Sequence, residues 1–367
     1  MEKKNRSRIS KYPATCLVLT FLIISLNLLA VCFKGFSDWH VKKIFPLAVN
    51  TIGRFFGAFP VAVGDIFIGV MVLLILTGLL MLIVSAIFKG RILKVTIRLW
   101  KVLLMVWLVA WLELTVNWTM LYHTTSLREA EVPSGREYTN KEYAAVYNYV
   151  VQQLNTLAGE ARRNEDGIVI SNVDVNAEAK KMLTSLADKY PMLAGYYPDP
   201  KDIYFANIFS QRGILGYYMP VTIESNINPL MNDINDPVTV CHELSHLKGY
   251  MREDEANFIA IIACMNSSEP FFRYSGFMLA YDYLSGSFPV ESGLGRLAVD
   301  ERVIFDDVFI SDEKWVEIEK SSPLPTSVVK EVSDKLIDNS LKINGVEEGI
   351  GSYGEVVTLL LHYFLDR

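Results

Sequence analysis

Two stretches of this chain contain no charged residue at all. Residues 14–33 run for 20 positions and residues 66–88 for 23 without Asp, Glu, Lys or Arg, and each is long enough to cross the ~30 Å hydrocarbon core of a bilayer. A third stretch, 102–121, is interrupted only by Glu113. These runs exclude a wholly soluble chain, and they account for a mean hydropathy of +0.24. No small-x-small site follows the first run, so it reads as an anchor and not as a cleaved signal peptide. There is no internal repeat, no Gly-rich phosphate loop and no low-complexity tract. Cysteine is scarce too. Cys16 and Cys32 fall in the first apolar run, and Cys241 and Cys264 are open to two readings, a disulfide or two buried thiols.

Charge is distributed in two blocks. Residues 1–123 hold 14 basic and 4 acidic side chains, net +10, whereas 124–367 hold 21 basic and 37 acidic, net −16. A region this acidic is not a nucleic-acid binder. The chain thus divides into a membrane anchor, 1–123, with spans near 14–33, 66–88 and 102–121, and an outer domain, 124–367. Basic residues cluster in the tail (Lys3, Lys4, Arg6, Arg8, Lys11) and in the second loop (Lys89, Arg91, Lys94, Arg98, Lys101). The first loop has fewer: Lys34, Lys42, Lys43 and Arg54. By the positive-inside rule the N-terminus is cytoplasmic, and the C-terminal domain is extracytoplasmic on a multi-pass protein of the cell membrane. Glu113 marks either an intramembrane functional site or a carboxyl that faces the bundle. Residues 44–60, with Arg54 and four phenylalanines, read as an interfacial helix or tight loop.

The outer region is long enough for one sizeable core. Thr139-x-x-Glu142 is a capping box opening a helix to about Arg162, with Tyr143, Val146, Tyr147, Val150 and Leu154 on its apolar stripe. Further helices are expected over 177–189, 271–284, 327–341 and 353–365, the last opened by Ser352-x-x-Glu355. Residues 167–175 read as a short strand or turn. The best strand is 217–227, where Pro220 suggests an edge.

Histidine is scarce, with five in the chain, yet two of them stand in Cys241-His242-Glu243-Leu244-Ser245-His246. The H-E-x-x-H spacing puts His242 and His246 one turn apart on one helix face, where two imidazoles can grip one Zn²⁺. Glu243 is then placed to take a proton from a water that the metal activates. Asp236-Pro237 is a helix-start signal and Gly249 a stop. Cys241 points about 100° from His242 and is a poor ligand. A third ligand is sought in Arg252-Glu253-Asp254-Glu255-Ala256-Asn257. The ordinary reading of such a cluster is that it complements a helix dipole. Against that, the turn at Gly249 returns the second helix to the histidines. Glu253 shares a face with Asn257, which can orient a ligand. Glu253 is therefore the expected third ligand, with Glu255 the alternative. His362 reads as a packed or surface residue, not a ligand. Tyr218, Tyr274 and Arg273 are candidates for stabilising an oxyanion, with nothing in the sequence to choose among them.

His242-Glu243-x-x-His246 with Glu253-x-x-Ala256-Asn257 resembles the gluzincin peptidases, whose H-E-x-x-H is followed by E-x-x-A-[DN] or E-x-x-x-D. The resemblance implies His242, His246 and Glu253 as metal ligands, Glu243 as general base and Asn257 as the residue behind a ligand. The interval between His246 and Glu253 is shorter than in most gluzincins, and Asn257 stands where many have Asp. The short turn at Gly249 is closer to metzincins, though Glu replaces their third His. Gly216-Tyr217-Tyr218-Met219-Pro220, Arg273-Tyr274-Ser275-Gly276 and Ser352-Tyr353-Gly354 are similar to a bacterial multi-pass membrane family, domain of unknown function 3810, which carries a zinc-peptidase motif.

The expectation is an α-rich α+β protein: three N-terminal transmembrane helices followed by a zincin-like, gluzincin-type domain that binds Zn²⁺ and hydrolyses peptide bonds. Its partners would be a peptide or protein substrate and the lipid bilayer. An edge strand beside the metal helix would pair with substrate backbone, unless it is an ordinary edge. The rival reading is a membrane-anchored binding or sensory module with a structural or vestigial zinc site. A structural site would add a fourth protein ligand and would have no use for Glu243. Oligomeric state has no signature in the sequence.

Overall fold

A computed structural model describes residues 11–88, 90–289, 293–331 and 353–366. The chain opens with α1 (Lys11–Cys32), the short α2 (Lys34–Lys43), α3 (Val63–Ile87) and α4 (Arg91–Leu114). Of these, α1, α3 and α4 with its continuation are long and apolar enough to cross a membrane. Leu73, Leu80 and Ile83 of α3 are exposed, as suits a hydrocarbon-facing surface better than a watery one. The third of these helices begins well before the expected residue 102. Its Lys94, Arg98 and Lys101 continue the same helix, long stems allowing the charges to reach beyond an apolar layer. Past Leu114 it winds through a π turn, Thr115–Thr119, and a last turn, Met120–Tyr122. In that stretch the Val116 carbonyl pairs with His40 Nε2 at 2.8 Å. Glu113 has its partner one turn on, where Asn117 Nδ2 donates to it at 2.8 Å. Residues 45–57 are helical, with Phe45 buried and Phe55 turned outward, so this stretch is helix and not a tight loop.

The outer region contains α5 (Asn140–Glu160), α6 (Val175–Ser185), α7 (Asp236–His246), α8 (Glu253–Met265), α9 (Pro270–Gly286) and α10 (Tyr353–Leu365). The capping box at α5 forms in both directions between Thr139 and Glu142. Apolar all round from Phe258 to Cys264, α8 is the core helix; Val150 and Leu154 of α5, Phe272 and Ala280 of α9 and Leu360 of α10 complete the core. Cys241 and Cys264 meet inside it as two thiols 3.8 Å apart. Lys3, Lys4, Arg6, Arg8, Lys89 and Ser352, and residues 332–341 of the expected helix 327–341, lie outside the described residues.

The run 217–227 is not one strand. It splits into β2 (Gly216–Met219) and β3 (Glu224–Ile227), paired antiparallel, while β1 (Lys201–Asp202) pairs parallel to β3. Pro220, which supplies no backbone N–H, lies in the connection, and Ile223 takes φ +53 there, held by complete burial. The central strand is β3, and β1 and β2 are the edges. Around 167–175 only a single bridge forms, Arg163 with Val169, so the turn reading holds.

Residues 34–57 and 115–122 pack onto the outer region. Val41, Phe45, Val49, Leu121 and Tyr122 share a cluster with Tyr218, Ile223, Leu247 and Met251. On the other face of the sheet, Glu224 accepts from Gly64 N at 2.7 Å and Val63 N at 3.2 Å, satisfying free N–H groups at the start of α3. Lys201 pairs with Glu224, and Asp65 accepts from Tyr204 N and Tyr217 Oη. The apolar helices thus hold the sheet that flanks α7.

Gly249 is at the tightest point of this contact. Its φ is +98, and a Cβ there would lie 2.4 Å from Val41 Cγ2, a stiff β-branched side chain that cannot swing aside. Gly249→Ala combines backbone strain with overpacking and is expected to destabilise by about 2–5 kcal/mol. A thermal midpoint equal to that of the parent protein in the same detergent would refute the tight packing.

Candidate metal centre

The helix α7 starts as its sequence suggests but by a different device. Pro237 occupies the first turn, as expected, but Asn235 is the residue before the helix, and neither it nor Asp236 makes a side-chain cap. The helix ends at His246, and Gly249 turns the chain so that α8 begins at Glu253 against the same face. Ala256 and Ala260, both fully buried, let the two helices come close.

Three side chains meet across that turn. Glu253 Oε2 lies 3.3 Å from His242 Nε2, and Glu253 Oε1 lies 3.7 Å from His246 Nε2. One donor atom from each falls within 4.8 Å of the others, so the group could hold a metal ion. Ligands about 2.0–2.1 Å from one tetrahedral zinc sit roughly 3.3 Å apart, so little movement separates this arrangement from a bound one. Glu255 is elsewhere. Buried on the opposite side of α8, its Oε1 accepts from Leu127 N at 2.7 Å, and burial, then Asp254, raises its carboxyl to about 8.

The hydrogen bonds behind the histidines fix their tautomers. Asn257 Nδ2 donates to Tyr283 Oη at 2.7 Å, which turns Oδ1 toward His242, so His242 Nδ1–H donates to it at 2.8 Å. His246 Nδ1–H donates to the Tyr250 carbonyl at 2.8 Å. In a neutral imidazole with Nδ1 protonated, Nε2 carries a lone pair. Two lone pairs and a carboxylate facing one point repel one another unless a cation lies between them. That is the chemistry of a donor set.

Glu243 has a different environment. Its side chain is 3% exposed and Oε2 has no hydrogen-bond partner. Burial raises its carboxyl to about 8, with His242 opposing and Glu253 adding. The edge strand crosses directly beside it: a Cβ on Gly216 would sit 2.8 Å from Glu243 Cγ and Oε1, so only glycine permits this approach. Ser225 Oγ of β3 donates to the Glu243 carbonyl at 3.0 Å and ties helix to sheet. A cleft of about 550 Å³ runs past Gly216, His242, Glu243 and Glu253.

Other candidates are not brought to this cleft. Tyr274 Oη donates to Asp306 at 2.6 Å, Arg273 to Gln153, and Tyr218 Oη to the Asn117 carbonyl. Tyr218 is nevertheless close, its ring 6.5 Å from that of His246. His362 faces Tyr138 and Asp366 at the surface, a packed residue as expected. Tyr283, the Tyr250 carbonyl and the approach of Gly216 were not foreseen. Only the position of Tyr250 directly after a turn glycine hinted at the second of them.

Fold and site together define a helix-rich protein with three apolar helices of membrane-spanning length, a small sheet and a His-His-Glu cluster able to hold a metal. The chain belongs to the family described as Protein of unknown function (DUF3810), which matches residues 40–361. Neither the curated proteins nor the solved structures gave a match.

Proposed function

We propose that this protein is a membrane-anchored zinc metallopeptidase with a zincin-like outer domain of gluzincin type. The observation that carries the reading is the convergence of His242, His246 and Glu253 beside Glu243, a buried carboxyl group that lines the cleft and has one oxygen without a partner. His242, His246 and Glu253 would hold the zinc, which when bound supplies Lewis acidity toward a peptide carbonyl and a water. Glu243 removes a proton from that water as it adds to the carbonyl carbon. The same carboxyl then gives the proton to the departing amine as the C–N bond breaks. Gly216 opens the edge strand to substrate. Asn228 N donates to Leu215 O at 2.7 Å, so antiparallel alternation turns the N–H and C=O of Gly216 away from β3. An extended peptide could pair there.

Among the described residues the cluster offers three donors and no fourth, which suits a catalytic zinc better than a structural one. The rival binding module leaves the free oxygen of Glu243 without a purpose. Lys34 pairs with Glu129 at 2.8 Å and Asp38 accepts from Thr125 N at 2.8 Å, so the first loop and the outer domain share a side. With the basic residues of the tail and second loop opposite, that side is the extracytoplasmic one. The reading is tested on purified full-length protein in detergent. About one zinc per chain and peptide cleavage that a chelator stops and zinc restores are expected. Cleavage indifferent to the chelator would remove the zinc from the mechanism.

A further inference from the structure

The sheet beside the metal cluster reaches down to the depth of the apolar helices. A Cβ on Gly69 would lie 3.7 Å from Phe205 Cζ, so the Phe205 ring rests on α3 three residues inside its charge-free run 66–88. A Cβ on Gly64, which precedes that run, would lie 2.6 Å from Met219 Cγ at the end of β2. On the third apolar helix, Asn117 Nδ2 donates to the Pro220 carbonyl at 3.2 Å, and the Asn117 carbonyl accepts from Tyr218 Oη at 3.4 Å. Asn117 stands four positions before the end of the run 102–121. The outer ends of the runs are level with one another. Asn27 Nδ2 donates to Thr115 Oγ1 at 3.1 Å, and each of these residues stands six positions before the end of its run. At a rise of ~1.5 Å per residue, Phe205 and Pro220 lie roughly 4–6 Å inside the outer boundary of the apolar runs. Tyr204, Phe205, Ile66 and Ile68 are exposed at this level, an aromatic and aliphatic surface suited to the headgroup zone.

The edge strand β2 connects that level to the metal cleft. Its first residue, Gly216, passes beside Glu243, and its last, Met219, lies against Gly64 at the start of α3. The bond from Asn228 N to Leu215 O sets the alternation, which turns the N–H and C=O of both Gly216 and Tyr218 away from β3. At ~3.3 Å per residue the path from Gly216 to Met219 is about 10 Å. The strand is braced on both faces. Trp118 of the third apolar helix stacks on Tyr218 with ring centroids 6.2 Å apart and planes 4° from parallel, and Phe209 stacks on Tyr217 at 5.1 Å. The outward edge is thus a fixed track, with the buried Glu243 carboxyl at one end and the boundary of the apolar helices at the other. A peptide paired along it, in either direction, leaves the strand at Met219, where α3 and the third helix enter the bilayer.

We propose that the substrate is itself anchored in the membrane and is cut about three to six residues from the end of its own membrane span. This rests on the peptidase reading of the cleft and on the apolar helices crossing the bilayer. The substrate's anchor and the protein's spans share one bilayer, which raises the local concentration of the segment to be cut and sets its register along β2. A soluble peptide gains neither advantage, so the test compares the two.

The experiment uses full-length, zinc-loaded protein reconstituted in phosphatidylcholine vesicles. The peptides carry an apolar helix of about 20 residues, enough to span the bilayer, followed by a long randomised tail. Mass spectrometry maps the cuts. Cuts within about six residues of the apolar helix should be about 10- to 100-fold more frequent than cuts in the distal half of the tail, and the same tails without the helix should be cut more slowly by a similar factor. A second readout is independent of activity. Tyr204→Cys is labelled with a polarity-sensitive fluorophore on a Cys16→Ser, Cys32→Ser background, whose remaining cysteines, Cys241 and Cys264, are buried. Tyr204 is 71% exposed, so the label is tolerated. Lipids spin-labelled near the top of the acyl chain should quench it, and an unquenched label overturns the depth of the sheet and the inference with it. Cuts spread evenly along the tails, or free tails cut as fast as anchored ones, overturn the inference and leave the peptidase standing. No cut in any tail defeats the peptidase reading and this inference together, whatever the label reports.

Discussion

Glu243→Gln is expected to keep the metal and to lose about 10²–10⁴-fold in hydrolysis rate, the usual cost of removing a general base. The substitution is nearly isosteric, so the tight passage of Gly216 beside the side chain survives. Glu243 is not among the three converging donors, so zinc content should match wild type. What changes is the oxygen that now has no partner: an amide there cannot accept a proton. Turnover of peptide libraries and metal content are measured on the same preparation. Equal turnover by zinc-loaded wild type and Glu243→Gln would remove the general base from the mechanism and favour the binding-module reading.

His246→Ala should take zinc from about one per chain to background, because it removes one of only three donors. His246 is 4% exposed, and its loss also frees the Tyr250 carbonyl, so some loss of stability accompanies the loss of metal. Conservative variants keep the test clean. Glu253→Gln replaces an anionic donor with a neutral one and should weaken zinc without disturbing the fold, since its side chain is about half exposed (48%). Glu255→Gln should leave zinc unchanged, because an amide oxygen can still accept from Leu127 N. Asn257→Ala should fall between, with affinity reduced about 10–100-fold, as for other residues that orient a ligand. Metal counting by mass spectrometry decides the order. Full zinc in His246→Ala, or loss in Glu255→Gln with retention in Glu253→Gln, would sink the donor set.

Much of this was legible because the signals are local. Charge-free runs mark the apolar helices, as helices of 22 and 25 residues at α1 and α3 bear out. Lys94, Arg98 and Lys101 misplaced the start of the third, since charge at a helix end says nothing about where the helix begins. The i, i+4 spacing of His242 and His246 becomes a common helix face by helical geometry alone. The glycine turn returns Glu253 to that face, and Asn257 sits one turn further on. The single strand expected over 217–227 failed because β-favouring residues continue through a connection that Pro220 and Ile223 break, and propensity does not register where the chain reverses.

The sequence by itself determined the apolar helices, the α7–α8 pair and the convergence of His242, His246 and Glu253, because each depends on contacts within a few turns of chain. Tertiary structure alone decided that Glu224 and Asp65 lock the sheet to the start of α3, more than 130 residues apart in the chain. It alone passed Gly216 over Glu243 at the side of the cleft. Such pairings join segments with no periodicity or spacing in common. They arise from how helices and strands stack to bury the Phe258–Cys264 core, and only the packed chain specifies them.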